Sequence, residues 1–302
     1  MIFNSTAFKQ NQKTTSLDNR CLIIVDLDGT LLNQKAEITK KTYNTVKKII
    51  NAGHKFCIFT GRPLRNSKKF HDLLNLDTPI VNYNGAFISN PKNPRFKPLE
   101  FSISRNVIID LLSDKKITNI IDNVLIETQE GSFFLYHPRT KEQLKATLQH
   151  FHIVNAQNVK YMDGDPNTLR GDVLSILINL SDNDHKHISD LMYYIKLHSS
   201  TMLIRSWSEE ILGTIIEINS YFATKGMALR FISAYYNIPL ERIYTFGDSD
   251  NDVDMLSAGV NSYAMRNGTY IAKMAASKIT QFTNEQDGVA FELKKIFKKN
   301  IN

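Results

Sequence analysis

A short apolar run that ends on an acid constrains this chain more than any other stretch. Residues 21–26 read Cys-Leu-Ile-Ile-Val-Asp. An unbroken apolar strand has no solvated face, so it belongs inside a parallel sheet covered on both sides. Asp26-Leu27-Asp28-Gly29-Thr30 follows directly. Residues two apart on an extended segment point the same way. Both carboxylates therefore project past the carboxyl end of the strand, where open α/β sheets bind ligands. Two carboxylates this close repel unless a cation or a shared proton separates them. Gly29 lets the backbone turn and offer amide N–H groups to an anion. A plain strand-to-turn Asp-Gly pair is the alternative at this point.

The following segments repeat a strand–helix rhythm. Residues 39–52 carry Tyr43, Val46, Ile49 and Ile50 at helical spacing, between a Thr39 N-cap and a Gly53 stop. Residues 55–60 read as a second buried strand. Pro63 opens a helix whose apolar face is Phe70, Leu73 and Leu74, and residues 78–83 make a third strand. The pattern is that of a doubly wound, Rossmann-like α/β domain.

After Gly85 the texture changes. Asn90-Pro91-Lys92-Asn93-Pro94 is a turn-rich break. Strands are expected at 124–128, 133–136, 173–180 and 202–206, and helices at 108–113, 141–149 and 185–197. Antiparallel strands with helices on one face are expected here. The parallel pattern resumes with a helix over 224–236, a strand over 243–247 and a helix over 250–258 stopped by Gly259. With 302 residues the chain suits two domains. The expected division is a flexible N-terminal extension over 1–20, a core from 21–85 and 217–302, and an inserted α/β cap over 86–216.

Composition narrows the function. No apolar run approaches the roughly 20 residues of a membrane span, and residues 1–20 lack the apolar stretch of a secretory signal. Cys21 and Cys57 both sit in apolar strands, where Cys is a small hydrophobe; a reducing, cytoplasmic compartment is expected. The net charge of +7 is spread along the chain, densest at Lys294, Lys295, Lys298 and Lys299. Without interleaved aromatics this is a solvated face and not a nucleic-acid stripe, though a positive field favours an anionic substrate. His137, His150 and His152 have no metal-site spacing. Nothing in the sequence reports the oligomeric state.

A second acidic segment, Gly247-Asp248-Ser249-Asp250-Asn251-Asp252, closes a strand and opens a helix. N-capping explains one or two of these acids. Three carboxylates in five residues repel unless a hard cation binds, and oxygen donors suit Mg²⁺.

Four segments now stand in order: Asp26-Leu27-Asp28-Gly29-Thr30, Phe59-Thr60-Gly61-Arg62, Thr224-Lys225-Gly226 and Gly247 to Asp252. They resemble the four motifs of the haloacid dehalogenase superfamily. With Asn84-Gly85-Ala86 and the long insert they resemble its Cof-type phosphatases, over nearly all of 21–293. The resemblance implies an Mg²⁺-dependent phosphatase acting on small phosphorylated metabolites such as sugar phosphates or phosphorylated cofactors. Asp26 would be the nucleophile and form an aspartyl-phosphate. Asp28 would be the general acid and base. Asp26, the Asp28 carbonyl and Asp248 would hold the metal, with Asp252 and Asn251 orienting ligands or waters. Thr60, Gly61, Asn84 and Lys225 would bind the phosphoryl group. Arg62, Arg205 and Trp207 are candidate substrate contacts, the last two from their place near the end of the insert. Trp207 also reads as a core residue of the insert. Asp250 and Asp254 read as helix N-terminal charges. The sequence departs from the family at Ala264-Met265-Arg266-Asn267-Gly268, where Arg266 replaces a small residue. A phosphosugar mutase with the same nucleophile and a non-catalytic phosphosugar sensor are the alternatives. The mutase does not match the Asn251-Asp252 ending, and a sensor would have lost one of the key acids or Lys225.

Overall fold

β1 (Leu22–Val25) is fully buried. Leu22 and Ile24 enter one apolar cluster, while Ile23 and Val25 enter another. Two-sided burial is what its unbroken apolar sequence requires. The structure is a computed structural model and describes residues 19–138, 140–150, 159–180, 185–198, 200–209 and 213–298. The expected N-terminal extension lies outside these except for Asn19 and Arg20, as does His152.

α1 (Lys40–Asn51) starts at Thr39, whose side chain accepts the Thr42 N–H, and it buries Val46 and Ile49. β2 (Lys55–Ile58) pairs parallel with β1. α2 (Leu64–Leu73) follows Pro63, and β3 (Ile80–Asn82) joins β2 through a parallel Phe59–Val81 bridge. The chain does not leave the core at Ala86, as the sequence suggested. β4 (Phe87–Ser89) and β5 (Leu99–Glu100) first fold back in an antiparallel meander with β3. Ile88 and Phe96 pack in the cluster that holds Leu22 and Ile24. The reason is apolar burial: these side chains cover one face of the core sheet.

The chain crosses into the insert at Ile103, which bridges to Val173. The insert comprises α3 (Arg105–Ser113), α4 (Lys115–Thr118), β6 (Ile121–Thr128), β7 (Gly131–Phe134), α5 (Lys141–His150), β8 (Val159–Tyr161), β9 (Val173–Leu180), α6 (His185–His198), β10 (Met202–Glu209) and β11 (Gly213–Ser220). Its sheet runs β10-β11-β9-β6-β7-β8, antiparallel except for the parallel β7–β8 pair. Ile108, Leu111, Leu191 and Ile195 from α3 and α6 pack on one face with Ile117 of α4. The expectation of helices on one face alone does not hold. Leu148 of α5 packs with Leu125, Phe134, Leu177 and Ile215 on the other face, where apolar side chains need cover. β11 runs to Ser220, past the expected return at 217.

The core resumes with α7 (Lys225–Tyr236), β12 (Ile243–Gly247), α8 (Val253–Ala258), β13 (Asn261–Ala264), α9 (Tyr270–Ala275), β14 (Lys278–Ile279) and α10 (Gly288–Ile296). The core sheet is ordered β14-β13-β12-β1-β2, all parallel. α1, α2 and α10 cover one face, and α7 with Met255 of α8 covers the other. The outgoing and returning crossings meet where Phe101 and Ala223 pack in one apolar cluster. The Phe101 N–H donates to the Ala86 carbonyl. At neighbouring Gly85 (φ +117°) a Cβ would come within 2.5 Å of the Thr224 carbonyl.

Candidate active site

The carboxyl ends of β1 and β12, adjacent and parallel, bring the two acidic segments together. The Asp26 N–H donates to the Phe246 carbonyl at 3.0 Å, which carries the sheet ladder to the last residue before the turn. The chain then turns at Gly29, with φ +71° and so close to Asp248 that a Cβ would collide with its carboxylate. No side chain fits there. Thr30 Oγ1 donates to Asp248 Oδ1 at 2.7 Å. Asp252 turns back: its Oδ2 accepts the N–H groups of Asp248 at 2.9 Å and Ser249 at 3.1 Å. Lys225, first residue of α7, has no exposed surface and donates to Asp26 Oδ1 and Asp252 Oδ1, each at 2.7 Å.

Charge in this corner is out of balance. Burial pushes the Asp26 carboxyl well above the usual carboxylate range; Lys225 pulls against this, and Asp252, Asp248 and Asp28 add repulsion. Burial and the Asp252 charge push Asp248 up to about 6, against the Thr30 hydrogen bond. Burial alone would lower the Lys225 pKa, but Asp252 and Asp26 outweigh it and hold the ammonium above its ordinary range. Oxygens of Asp26, Asp248 and Asp252 lie within 4.8 Å of one another, and a single ammonium cannot neutralise three acids. The donor set fits a hard divalent cation, which takes carboxylate oxygens and keeps several waters. The bonding divides the labour among the acids. Asp252 spends both oxygens on Lys225 and backbone amides, so it positions the corner, while Asp26 and Asp248 retain acceptor capacity for a cation.

Of the other residues singled out from sequence, Asn84 and Asn251 join this corner through hydrogen bonds, Arg62 reaches Asp28, and Arg205 and Trp207 lie on β10 of the insert. Thr60 is buried and its Oγ1 accepts the Arg62 N–H at 3.1 Å. A Cβ at Gly61 would stand 3.1 Å from Asn84 Oδ1. Asn251 Nδ2 donates to Asn84 Oδ1 at 2.9 Å, and Asn84 Nδ2 donates to Glu217 Oε1 at 3.0 Å. The Arg62 guanidinium grips both oxygens of Asp28, through Nε at 2.7 Å and through Nη2. Arg205 Nη1 donates to Asn219 Oδ1 at 3.1 Å and stands 3.8 Å from Glu217 Oε2. Trp207 pairs in register with Ile215; its side chain lies outside the described residues. Asp254 accepts the Gly226 N–H, and Asp250 accepts the Thr269 hydroxyl. Asn267 Nδ2 donates to the Gly29 carbonyl at 2.8 Å. That side chain braces the turn at Gly29, while Arg266 turns to the Gln281 carbonyl.

Sequence reasoning missed Glu217, Glu127, Arg65 and Tyr83. Glu127 of β6 is buried and receives Arg65 of α2 through two bonds at 2.7 and 3.0 Å, the Tyr83 hydroxyl at 3.2 Å and Ser132 Oγ at 3.1 Å. This clasps the insert to the core. The available signal was a lone acid in an apolar strand run, as in Leu125-Ile126-Glu127 and Ile215-Ile216-Glu217: a buried charge demands a partner.

The fold, the paired acidic turns and the buried lysine coincide with a known family. The model for haloacid dehalogenase-like hydrolases matches residues 23–293, and the chain belongs to that family. It is a Cof-type phosphatase, a phosphoric monoester hydrolase. Among curated relatives, 5-amino-6-(5-phospho-D-ribitylamino)uracil phosphatase YitU of Bacillus subtilis is 35% identical over 91% of this chain and 97% of its own. A putative phosphatase of Metamycoplasma hominis is 29% identical over 91% and 96%. A solved haloacid dehalogenase-like hydrolase from B. subtilis superposes with a TM-score of 0.72 at 26% identity, over 90% of this chain and 98% of that one. No helix among the described residues is long and apolar enough to cross a membrane.

Proposed function

We propose that this phosphatase hydrolyses a small phosphorylated metabolite through an aspartyl-phosphate on Asp26, with Mg²⁺ as cofactor. The observation that carries the reading is the buried Lys225 ammonium, 2.7 Å from both Asp26 and Asp252. It holds one oxygen of the Asp26 carboxylate and leaves the other for attack, and it offers positive charge beside the phosphorus that Asp26 attacks. Asp26 and Asp248 would hold Mg²⁺, with the Asp28 carbonyl as a further donor. The ion would offset repulsion between nucleophile and phosphate.

Asp26 displaces the leaving oxygen and Asp28 protonates it; Asp28 then takes a proton from the water that cleaves the acyl-phosphate. Arg62 occupies both oxygens of Asp28, so proton transfer requires that pair to loosen as substrate enters. Thr60 and Gly61 line the phosphoryl side, while the Asn84 amide is engaged by Glu217 and Asn251. The insert, over about 102–220, acts as a cap that excludes water from the reacting centre. The name of the B. subtilis relative makes a phosphorylated ribitylaminouracil the first substrate to test. No disulfide among the described residues, and a Cys57 thiol that burial pushes up to about 12, suit a reducing, cytoplasmic setting.

The test is a screen of phosphorylated metabolites with and without Mg²⁺, followed by acid quench of the best turnover. Phosphate bound covalently at Asp26 is expected. Turnover in excess chelator, or a phosphoryl adduct on another residue, overturns the mechanism.

A further inference from the structure

Glu217, Asn84 and Asn251 form a line of hydrogen bonds from a strand of the cap to the acidic loop. Burial raises the Glu217 carboxyl, while Arg205 and the Asn84 hydrogen bond favour its charged form; with Glu217 ionised the order of atoms along that line is fixed. A carboxylate only accepts, so Asn84 must turn its NH₂ toward Glu217, as the 3.0 Å bond records. The Asn84 oxygen then faces Asn251, which must answer with its own NH₂, at 2.9 Å. The Asn251 carbonyl oxygen is left as the acceptor at the acidic loop. Reversing any one amide would set donor against donor or acceptor against acceptor.

Each member is held in place. Asn84 sits 3% exposed in the turn after β3, at φ +56°, and its N–H donates to the Thr60 carbonyl at 3.1 Å. Glu217 is 7% exposed on β11. Ser175 Oγ of β9 lies 3.5 Å from its Oε1, and Arg205 of β10 faces its Oε2 at 3.8 Å. Three strands of the cap thus converge on one carboxylate whose partner in the core is an amide. The chemistry proposed above gives Glu217 no task.

We propose that Glu217 is a positioning residue: through Asn84 it fixes the direction of the Asn251 amide, so that Asn251 presents a carbonyl oxygen to a water of the divalent cation. This rests on the phosphatase reading above and adds to it that a cap strand must be seated for the acidic loop to be correctly polarised. Ligand-bound waters are donors, and an NH₂ group in that place would repel them.

The test is a double-substitution cycle with isosteric changes. Asn84→Asp sets two carboxylates against each other and should lower kcat about a hundredfold. Glu217→Gln alone leaves the amide order unspecified and should cost about threefold to tenfold. In the double variant, the amide introduced at position 217 can donate to the carboxylate introduced at position 84, which still accepts from Asn251. Its kcat should return to within about tenfold of Glu217→Gln alone. A purely structural role predicts losses that multiply. A second readout needs no turnover: Glu217→Met should weaken Mg²⁺ binding, followed by calorimetry without substrate, by about threefold to tenfold. Multiplied losses in the double variant, or unchanged Mg²⁺ affinity in a folded Glu217→Met protein, overturn the assignment of Glu217. If Glu217→Met does not fold, the isosteric cycle decides alone. A wild type that neither binds Mg²⁺ nor releases phosphate removes the underlying reading, and this proposal with it.

Discussion

The acidic corner of the core and the core-facing side of the cap sheet are both polar and buried, yet their charges are arranged on opposite rules. In the corner Asp26, Asp248 and Asp252 share the single ammonium of Lys225. On the cap two buried carboxylates each face a guanidinium: Glu127 has Arg65, and Glu217 has Arg205, although burial still raises the Glu217 carboxyl. An unbalanced site must import charge, as a metal ion or a proton, and is primed for reaction. A balanced site gains nothing from another ion and instead fixes geometry. Charge balance therefore separates the region expected to do chemistry from the region expected to hold the cap and the leaving group.

The sharpest way to break the comparison is to remove charge from the corner without changing its shape. Asp26→Asn should lower turnover by three or more orders of magnitude, about 4 kcal/mol in barrier, with the fold retained. Activity above a tenth of wild type would take Asp26 out of the nucleophile's place. Asp248→Ala should cost about 3 kcal/mol, roughly a hundredfold or more, and should abolish the Mg²⁺ dependence of what remains. Ca²⁺ should inhibit the wild type, because its looser coordination misplaces the in-line geometry. An unaltered Mg²⁺ titration in Asp248→Ala would exclude that residue as a ligand.

The imbalance should also appear in stability. Asp248 is pushed up from 3.8 to about 6, so between these values the folded state binds more protons than the unfolded state. Stability contributed here is present at low pH and is lost as pH rises through about 6. Chelated protein should lose on the order of 2 kcal/mol between about pH 4 and about pH 7 from this group, and Mg²⁺ should restore it at neutral pH. Urea midpoints at both pH values with and without Mg²⁺ measure this, and a chelated protein whose stability at this site climbs with pH would contradict the assignment. The smallest effect belongs to the balanced region. Glu127→Gln weakens the clasp to Arg65 and should lower kcat/KM on a metabolite-sized substrate by roughly tenfold. Acetyl phosphate, with no extended leaving group, should be nearly indifferent. Equal losses on both substrates would place Glu127 in the chemistry.

The two regions also differ in how far they can be read in advance. The corner's acids follow a strand or open a helix within short segments, and a parallel sheet sends all such ends to one edge. Asp26, Asp28, Lys225 and Asp248 can therefore be assembled on paper. The cap surface draws Glu127, Ser175, Arg205 and Glu217 from four strands whose pairing no local pattern fixes. β11 is absent from the strands expected from sequence, although its alternation of Ile216, Glu217, Ile218 and Asn219 carries the period. The boundary at Ala86 is misplaced for a related reason: the β3–β4–β5 meander looks like the start of a new domain until Ile88 and Phe96 are seen covering the core. Arg62 can be named but not assigned, because its partner Asp28 lies in a different segment.

The packing of the outgoing crossing against the returning one has a mechanical consequence. Phe101 on the way out and Ala223 on the way back pack in one apolar cluster, so the inserted unit is attached at one place, as a ball joint is, and not along two separated rails. A single swivel resists translation but hardly resists rotation. Which way the cap faces is then decided by bonds made away from the pivot, of which Arg65 to Glu127 is the clearest. A side chain larger than hydrogen at residue 85 would press on the Thr224 backbone beside this joint and, through the adjoining Lys225, would disturb the acidic corner as well.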